Sequence, residues 1–509
     1  MALPKIIGVE TEFGIVVRGT EESNPIAASS VLINAYINEL DELGAGSRTQ
    51  PKVGWDFEDE APYNDARGMI PDGAFAPEVE TNLVNAVLPN GARYYVDHAH
   101  PECSTPECAD PYSIVVWDKA AELILRRSME ASARLLPAGQ EIVVHKNNSD
   151  GKGNSYGCHE NYLMDRQVPF GRIVNQITPH FISRQLFTGS GKVGCEAPGL
   201  GIDEVPYQIT QRADFFEEEV GLETTLKRPI VNTRDEPHAD AQKYRRLHVI
   251  CGDANLSEVA TFLKVGTTAI VLSMIEDEFL PVSFALARPV MAMRQVSYDL
   301  DLDLPLDLAA GGTVTALEMQ WEYLDRAKKY AESHGLDCVG GDVGSDVLQR
   351  WEEVLTDLET DPMRLADRLD WVAKYRLLEG MRERHGLEPG DARLAALALQ
   401  YHDLRADKSL VSRLGMQRIT TDAEVEHAVL NPPTDTRAYF RGRCLQKWAD
   451  DIVAANWDSL VFDLGGDPLR RVPMMEPTRG TEAHVGRLVD ECTTARELLD
   501  RLGEQESHG

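Results

Sequence analysis

The chain of 509 residues is 43% hydrophobic and 26% charged, enough for one large catalytic domain with a small one, or for three ordinary domains. Its formal net charge of −32, from 83 acidic against 51 basic residues, repels nucleic acid and anionic membrane, so neither is expected as a partner, and no apolar run is expected to span a bilayer. Eight scattered cysteines without a CxxC pair, and a start MALPKIIGVETEFG that reads as a first strand and not a secretory leader, predict reduced thiols, no zinc site and a cytoplasmic location.

Residues 5–17 alternate as a strand. Within them Gly8-Val-Glu10-Thr-Glu12-Phe-Gly14 sets Glu10 and Glu12 on one face, their Cα atoms about 7 Å apart, with Val9, Thr11, Phe13 and Ile15 on the other. Two aligned carboxylates repel unless a cation neutralises them; Mg²⁺ ions bridging phosphate oxygens would do so, and a solvent-facing strand is the alternative. Residues 20–90 are rich in Asn, Pro, Gly, Asp and Glu, with a helical stretch around Ser30–Leu43. A connection of this length reads as a functional or mobile loop.

Strand patterns resume at Arg93–His98, Ile142–Lys146, His159–Asp165 and Arg246–Cys251. Asn90-Gly91 opens a turn, after which Arg93, Tyr95 and Asp97 share one face: a guanidinium suited to phosphate, a phenol able to hold a metal or its water, and a carboxylate. His100-Pro-Glu102 adds another metal oxygen. Cys158-His159-Glu160-Asn161-Tyr162 follows a Gly-rich turn, Asp150-Gly-Lys-Gly-Asn-Ser, that lacks the spacing of a P-loop. Arg246 and His248 share a strand face. His145, His180 and His402 lack comparable surroundings and read as structural.

From about Asn255 the pattern turns helical. Thr315-Ala-Leu-Glu318 has the form of a capping box, with Leu317, Trp321, Leu324 and Lys328 expected on one face and Gly335 at the stop. Further helices are predicted at Val347–Leu358, Met363–Glu379 and Ala392–Tyr401. Asn431-Pro-Pro-Thr434 marks a boundary, giving a catalytic domain over 1–432 and a small C-terminal domain over 433–509. Strands first and helices later, without regular alternation, predict an α+β fold.

Taken in order, GVETEFGI, NGARYYVDHAHPE, GCHENYLMD, RLHVICGDANLSEVATFLKVGTT, DWVAK and ANWDSLVFD resemble the Pup ligase/Dop family of the glutamine-synthetase-like superfamily across nearly the whole chain. The resemblance implies a curved, mainly antiparallel sheet forming an open cradle, backed by helices. It implies ATP and Mg²⁺ as cofactors, and Pup and pupylated proteins as partners. It makes Glu10, Glu12, Tyr95, Glu102, His159 and His248 metal-site residues; Arg93, Thr105, Arg246 and Trp457 nucleotide contacts; and Asp97 the essential aspartate, as nucleophile or as the base that activates water.

Within the family the same site runs in opposite directions. About 75 residues separate Gly14 from Asn90, including an insertion at about 41–82, and His98-Ala-His100 is one residue shorter than the ligase stretch. Both features point to the deamidating and depupylating branch, in which amide hydrolysis is downhill and ATP acts as a cofactor rather than fuel. Cys103 stands where an aromatic residue is more usual. An ATP-consuming Pup ligase and a catalytically silent Pup-binding protein are the rival readings. An acidic partner on an acidic body needs a local basic groove, for which Lys227-Arg228, Arg234 and Lys243-Tyr-Arg-Arg246 are nominated.

Overall fold

A computed structural model describes all residues except 22–23, 43–52, 58–59, 70–83, 281–283, 467 and 507–509. Ten strands form the main sheet: β1 Ile7–Glu12, β2 Gly54–Trp55, β3 Asn85–Val87, β4 Arg93–Asp97, β5 His100–Ser104, β6 Cys158–Asp165, β7 Tyr244–Val249, β8 Ile452–Ala455, β9 Ser459–Phe462 and β10 Arg470–Pro473. Their order is β7-β6-β1-β5-β4-β3-β2-β8-β9-β10. Every pairing is antiparallel except β2 with β8.

Alternation divides the central strands into two faces. Along β1 the odd residues Ile7, Val9 and Thr11 are buried, while Gly8, Glu10 and Glu12 are half-buried on the other side. Ile7 and Val9 join Tyr162, Leu247 and Val249 in a large core around the helix Glu258–Glu276. That helix is apolar almost all round, starts at Ser257 whose hydroxyl accepts from Ala260 N, and is enclosed by its neighbours. It alone among the described residues is long and apolar enough to cross a membrane, which the sequence reading had not anticipated, but its apolar window is wholly buried. Tyr94, Val96 and Cys103 face a second core beneath the helices Pro25–Glu42 and Pro111–Ser132.

Several boundaries differ from expectation. The first predicted strand is two: the chain breaks at Phe13, and Gly14–Arg18 pairs with Glu141–His145 in a separate two-stranded sheet. The predicted helix 363–379 is a short 3-10 turn, Pro362–Leu365, followed by the helix Asp370–His385. The capping box at Thr315 and Glu318 is formed, but the core face of that helix carries Met319, Tyr323, Leu324, Ala327 and Tyr330, with Leu317 and Trp321 at its margin. Packing against two neighbouring helices, not the heptad-like spacing alone, chooses that face.

Of the insertion expected at 41–82, residues 43–52, 58–59 and 70–82 lie outside the described residues. The described part includes β2, which bridges β3 and the carboxy-terminal strand β8. Val53 and Trp55 pack in a third core with Val87 and the helices that begin at Ala438, Glu482 and Ala495. All eight cysteines are free.

Candidate active site

The half-buried face of the sheet gathers the candidate residues because register aligns polar side chains from five strands. Glu10 sits opposite His159 on one side and Ser104 on the other; Glu12 sits opposite Glu102, which in turn faces Tyr95. His248 sits opposite Asn161. Two clusters result, each offering ligand atoms within 4.8 Å of one another: Glu10 with His159 and His248, and Glu12 with Asp97 and Glu102.

In the first cluster Asn161 is the organiser, a residue to which the sequence reading gave no role. Its Nδ2 donates to Glu10 Oε1 at 2.8 Å. Its Oδ1 accepts from Arg246 Nη1 at 2.7 Å, and lies 3.0 Å from His248 Nδ1. A guanidinium can only donate, so the amide orientation is forced, Nδ1 of His248 carries its proton, and Nε2 keeps its lone pair for a ligand. Glu10 Oε2 lies 3.5 Å from His159 Nδ1, and the two imidazoles meet edge-on at 5.0 Å. Burial alone would raise the Glu10 pKa, but the hydrogen bond from His159 and the charges of His248, His159 and Arg246 hold it well below the usual carboxylate range. Strand alternation from His159 to Asn161 was the available signal.

The second cluster has the opposite electrostatics. Glu102 is 3% exposed. Burial, and then the neighbouring carboxylates Asp97, Glu12 and Glu10, push its pKa well above the usual range. Glu12 is held down, against burial, chiefly by His100 and His159, and by Gly157 N donating to Oε1 at 2.8 Å. Any side chain at Gly157 would collide with His159 and with Glu12, its Cβ falling 2.3 and 2.8 Å from their polar atoms. Tyr95, opposite Glu102, has a phenol kept protonated by burial and by the Glu102 charge.

Beside the clusters is a pocket lined by Gly8, Val9, Thr105, His238, Arg246 and Trp457, among others. Thr105 is present, but its hydroxyl accepts from Val9 N at 3.1 Å and so also ties the strand edge. Arg93 does not line this pocket. Its guanidinium lies 3.9 Å from the ring centres of both Trp55 and Tyr95, and its Nε donates to Asn85 Oδ1 at 3.0 Å. Trp55, unmarked in the sequence because it sits in the long insertion, meets Trp457 edge-on at 5.2 Å and so links Arg93 to the pocket.

On the other side a larger cleft is lined by Glu12, Asp97, His98, His100 and His159, with Lys152, Lys192, Arg212 and Arg228 along its walls. Of the nominated basic residues, Arg228 is on this cleft and Arg246 is in the first cluster, while Lys243 pairs with Glu476. His402, read as structural, is buried: Nδ1 lies 2.7 Å from Lys146 O, and Nε2 lies 2.5 Å from Lys374 Nζ. His180 is likewise buried, against Thr268.

A mainly antiparallel sheet with acids and imidazoles on its open face, an aromatic-edged pocket on one side and a cleft on the other, defines an α+β protein of the glutamine-synthetase-like kind. Residues 5–461 match the Pup-ligase protein family, and the chain belongs to it. The chain is 52% identical to a depupylase of Acidothermus cellulolyticus, covering 98% of this chain and 99% of that one. It is 50% identical to a Pup deamidase/depupylase of Mycolicibacterium smegmatis, covering 98% and 100%. A crystal structure of the ligase PafA with Pup superposes with a TM-score of 0.77 at 30% identity over 96% of this chain and 92% of that one. PafA in complex with ADP gives 0.72 at 35% identity over 80% and 89%.

Proposed function

We propose that this chain is a cytoplasmic amidohydrolase, dependent on ATP and Mg²⁺, that converts the C-terminal glutamine of Pup to glutamate and hydrolyses the isopeptide bond between Pup and a substrate lysine. The observation that carries the reading is the identity over 98% of the chain to a depupylase, 52%, and to a Pup deamidase/depupylase, 50%, against 41% over 80% of the chain to a Pup-protein ligase of Kineococcus radiotolerans.

The residues suit the cofactors. An all-oxygen set of Glu12, Glu102 and Asp97 neighbours is what Mg²⁺ takes, and a cation there would relieve the repulsion that raises the Glu102 pKa. Glu12, Tyr95 and Glu102 would hold one ion; Glu10, His159 and His248 would hold another. The nucleotide would occupy the pocket of Thr105, Arg246 and Trp457, with Arg93 acting on it through Trp55, which meets Trp457 edge-on. When bound, the ions would supply positive charge beside the scissile amide and the nucleotide would help hold them in place.

The chain's own work centres on Asp97, which lies on the cleft beside the second cluster. Its carboxylate attacks the amide carbonyl carbon, the C–N bond breaks as the nitrogen takes a proton from water and leaves as ammonia or as the substrate lysine, and hydroxide or water then opens the resulting anhydride to give the Pup carboxylate and restore Asp97. Gly157 fixes Glu12, Asn161 fixes Glu10 and His248, and Arg93 is held against its two rings. Lys152, Lys192 and Arg228 give the acidic body a basic cleft that suits acidic Pup. Residues 433–509 form a small C-terminal domain that contributes Trp457 to the catalytic domain over 1–432.

Incubation with Pup ending in glutamine and Mg²⁺-ATP, followed by mass spectrometry, tests the reading. The expected product carries a carboxylate in place of the amide, and unchanged Pup removes the proposal. Stoichiometric ADP release on joining Pup ending in glutamate to lysine would instead mark a ligase, and tight binding without turnover a silent partner.

A further inference from the structure

His98 and Ala99 join β4 to β5. Asp97 and His100 pair across the hairpin, so the connection is two residues long, and His98 holds φ at +50°. In a turn this tight, a positive φ at the first central residue is the place where glycine is free of strain and a β-carbon is not. The His98 side chain is 68% exposed, so burial does not hold it there. Its Nδ1 lies 2.9 Å from Asp97 Oδ2, and both residues line the large cleft. An ionised carboxylate only accepts hydrogen bonds, so Nδ1 carries the proton in this contact.

We infer that His98 is a positioning residue for Asp97: its Nδ1–H holds Oδ2 and so fixes the rotation of the carboxylate, leaving the other oxygen turned toward the amide of the substrate. The inference rests on the reading of Asp97 as nucleophile. The Asp97 side chain is 38% exposed, and its close neighbour Glu12, whose pKa is held low, repels it rather than fixing it. A carboxylate free to rotate spends much of its time out of attacking geometry, whereas a clamped one enters each encounter already aligned. The strained turn and the clamp explain each other: the left-handed backbone of His98 folds its ring back onto the preceding residue.

The experiment compares His98→Gly and His98→Asn with the parent enzyme for Pup deamidation, reading kcat, KM for Pup and Tm. Glycine relaxes the turn and removes the donor; asparagine tolerates the left-handed backbone and returns an N–H near the place of Nδ1. His98→Gly is expected to keep or raise Tm, to leave KM within about twofold, and to lower kcat by about ten- to a hundredfold; His98→Asn is expected to recover most of that loss. A His98→Gly enzyme with kcat within about twofold of the parent overturns the inference, as does a folded His98→Asn enzyme no better than the glycine variant. A parent that leaves Pup unchanged overturns the functional reading itself, which separates the two failures.

Discussion

The two acid clusters on the open sheet face are built from similar residues and balanced in opposite ways. Glu10 is surrounded by donors and cations that the chain supplies itself: Asn161, His159, His248 and Arg246. Glu102 faces Asp97, Glu12 and Glu10, and burial and their repulsion push its pKa well above the usual carboxylate range. One cluster is electrostatically complete without a ligand and the other is not. The incomplete one adjoins Asp97, which places the demand for an external cation beside the proposed reacting group.

The sharpest way to break this comparison is Asp97→Asn. It removes the proposed nucleophile and one of the repelling charges at once, so turnover should fall by roughly a thousandfold or more while nucleotide still binds; calorimetric titration and the mass assay report the two separately. Retained turnover would sink the assignment.

Next in size is the paired substitution Glu10→Gln and Glu102→Gln in chelator. Glu10→Gln should destabilise the metal-free protein at neutral pH by roughly 2 kcal/mol, because it discards a charge that is hydrogen-bonded and paired. Glu102→Gln should be neutral or stabilising there, yet should weaken Mg²⁺ binding. The pH dependence has opposite sign for the two acids. The folded pKa of Glu10 is depressed, so its contribution is present above the unfolded value of about 4.5 and is lost as pH falls through the folded value. The folded pKa of Glu102 is raised, so its contribution is full below 4.5 and is lost as pH rises through the folded value. Denaturant titrations of parent and variants from about pH 5 to about pH 8 should therefore show the parent losing ground to Glu102→Gln as pH rises. A constant difference would contradict the repulsion described here.

A smaller effect is expected where neither cluster is touched. Trp457→Ala should raise the nucleotide Kd by about tenfold, through loss of its ring from the pocket, with kcat nearly unchanged at saturating nucleotide. Smallest is Thr105→Val, which removes the acceptor for Val9 N and should cost about 1 kcal/mol in thermal unfolding.

Much of the site was legible because strand alternation is strict. Glu10 and Glu12 lie on one face, as do Tyr95 and Asp97, and the α+β class followed from the order of strands and helices. What could not be read was whatever depends on register between distant strands. Nothing local tells that Glu10 meets His159, or that Asn161 will sit between His248 and Glu10. Trp55 was hidden for a different reason: two residues of strand inside a long polar insertion carry no periodicity, and their pairing with Ala454 and Ala455 comes from the far end of the chain. The break at Phe13 was missed because the apolar alternation runs on through Gly14–Arg18 although the partner strand changes.

The sheet that joins residue 54 to residue 454 also sets an order of events during synthesis. The first strand emerges early, with β5 and β6 following within about 160 residues, so the acid-bearing rows can be assembled by a partly made chain. Arg437, Trp457 and Pro477, which line the pocket beside them, leave the ribosome roughly 300 residues later. A chain that stops short of them therefore offers any ligand only an open, partly lined pocket.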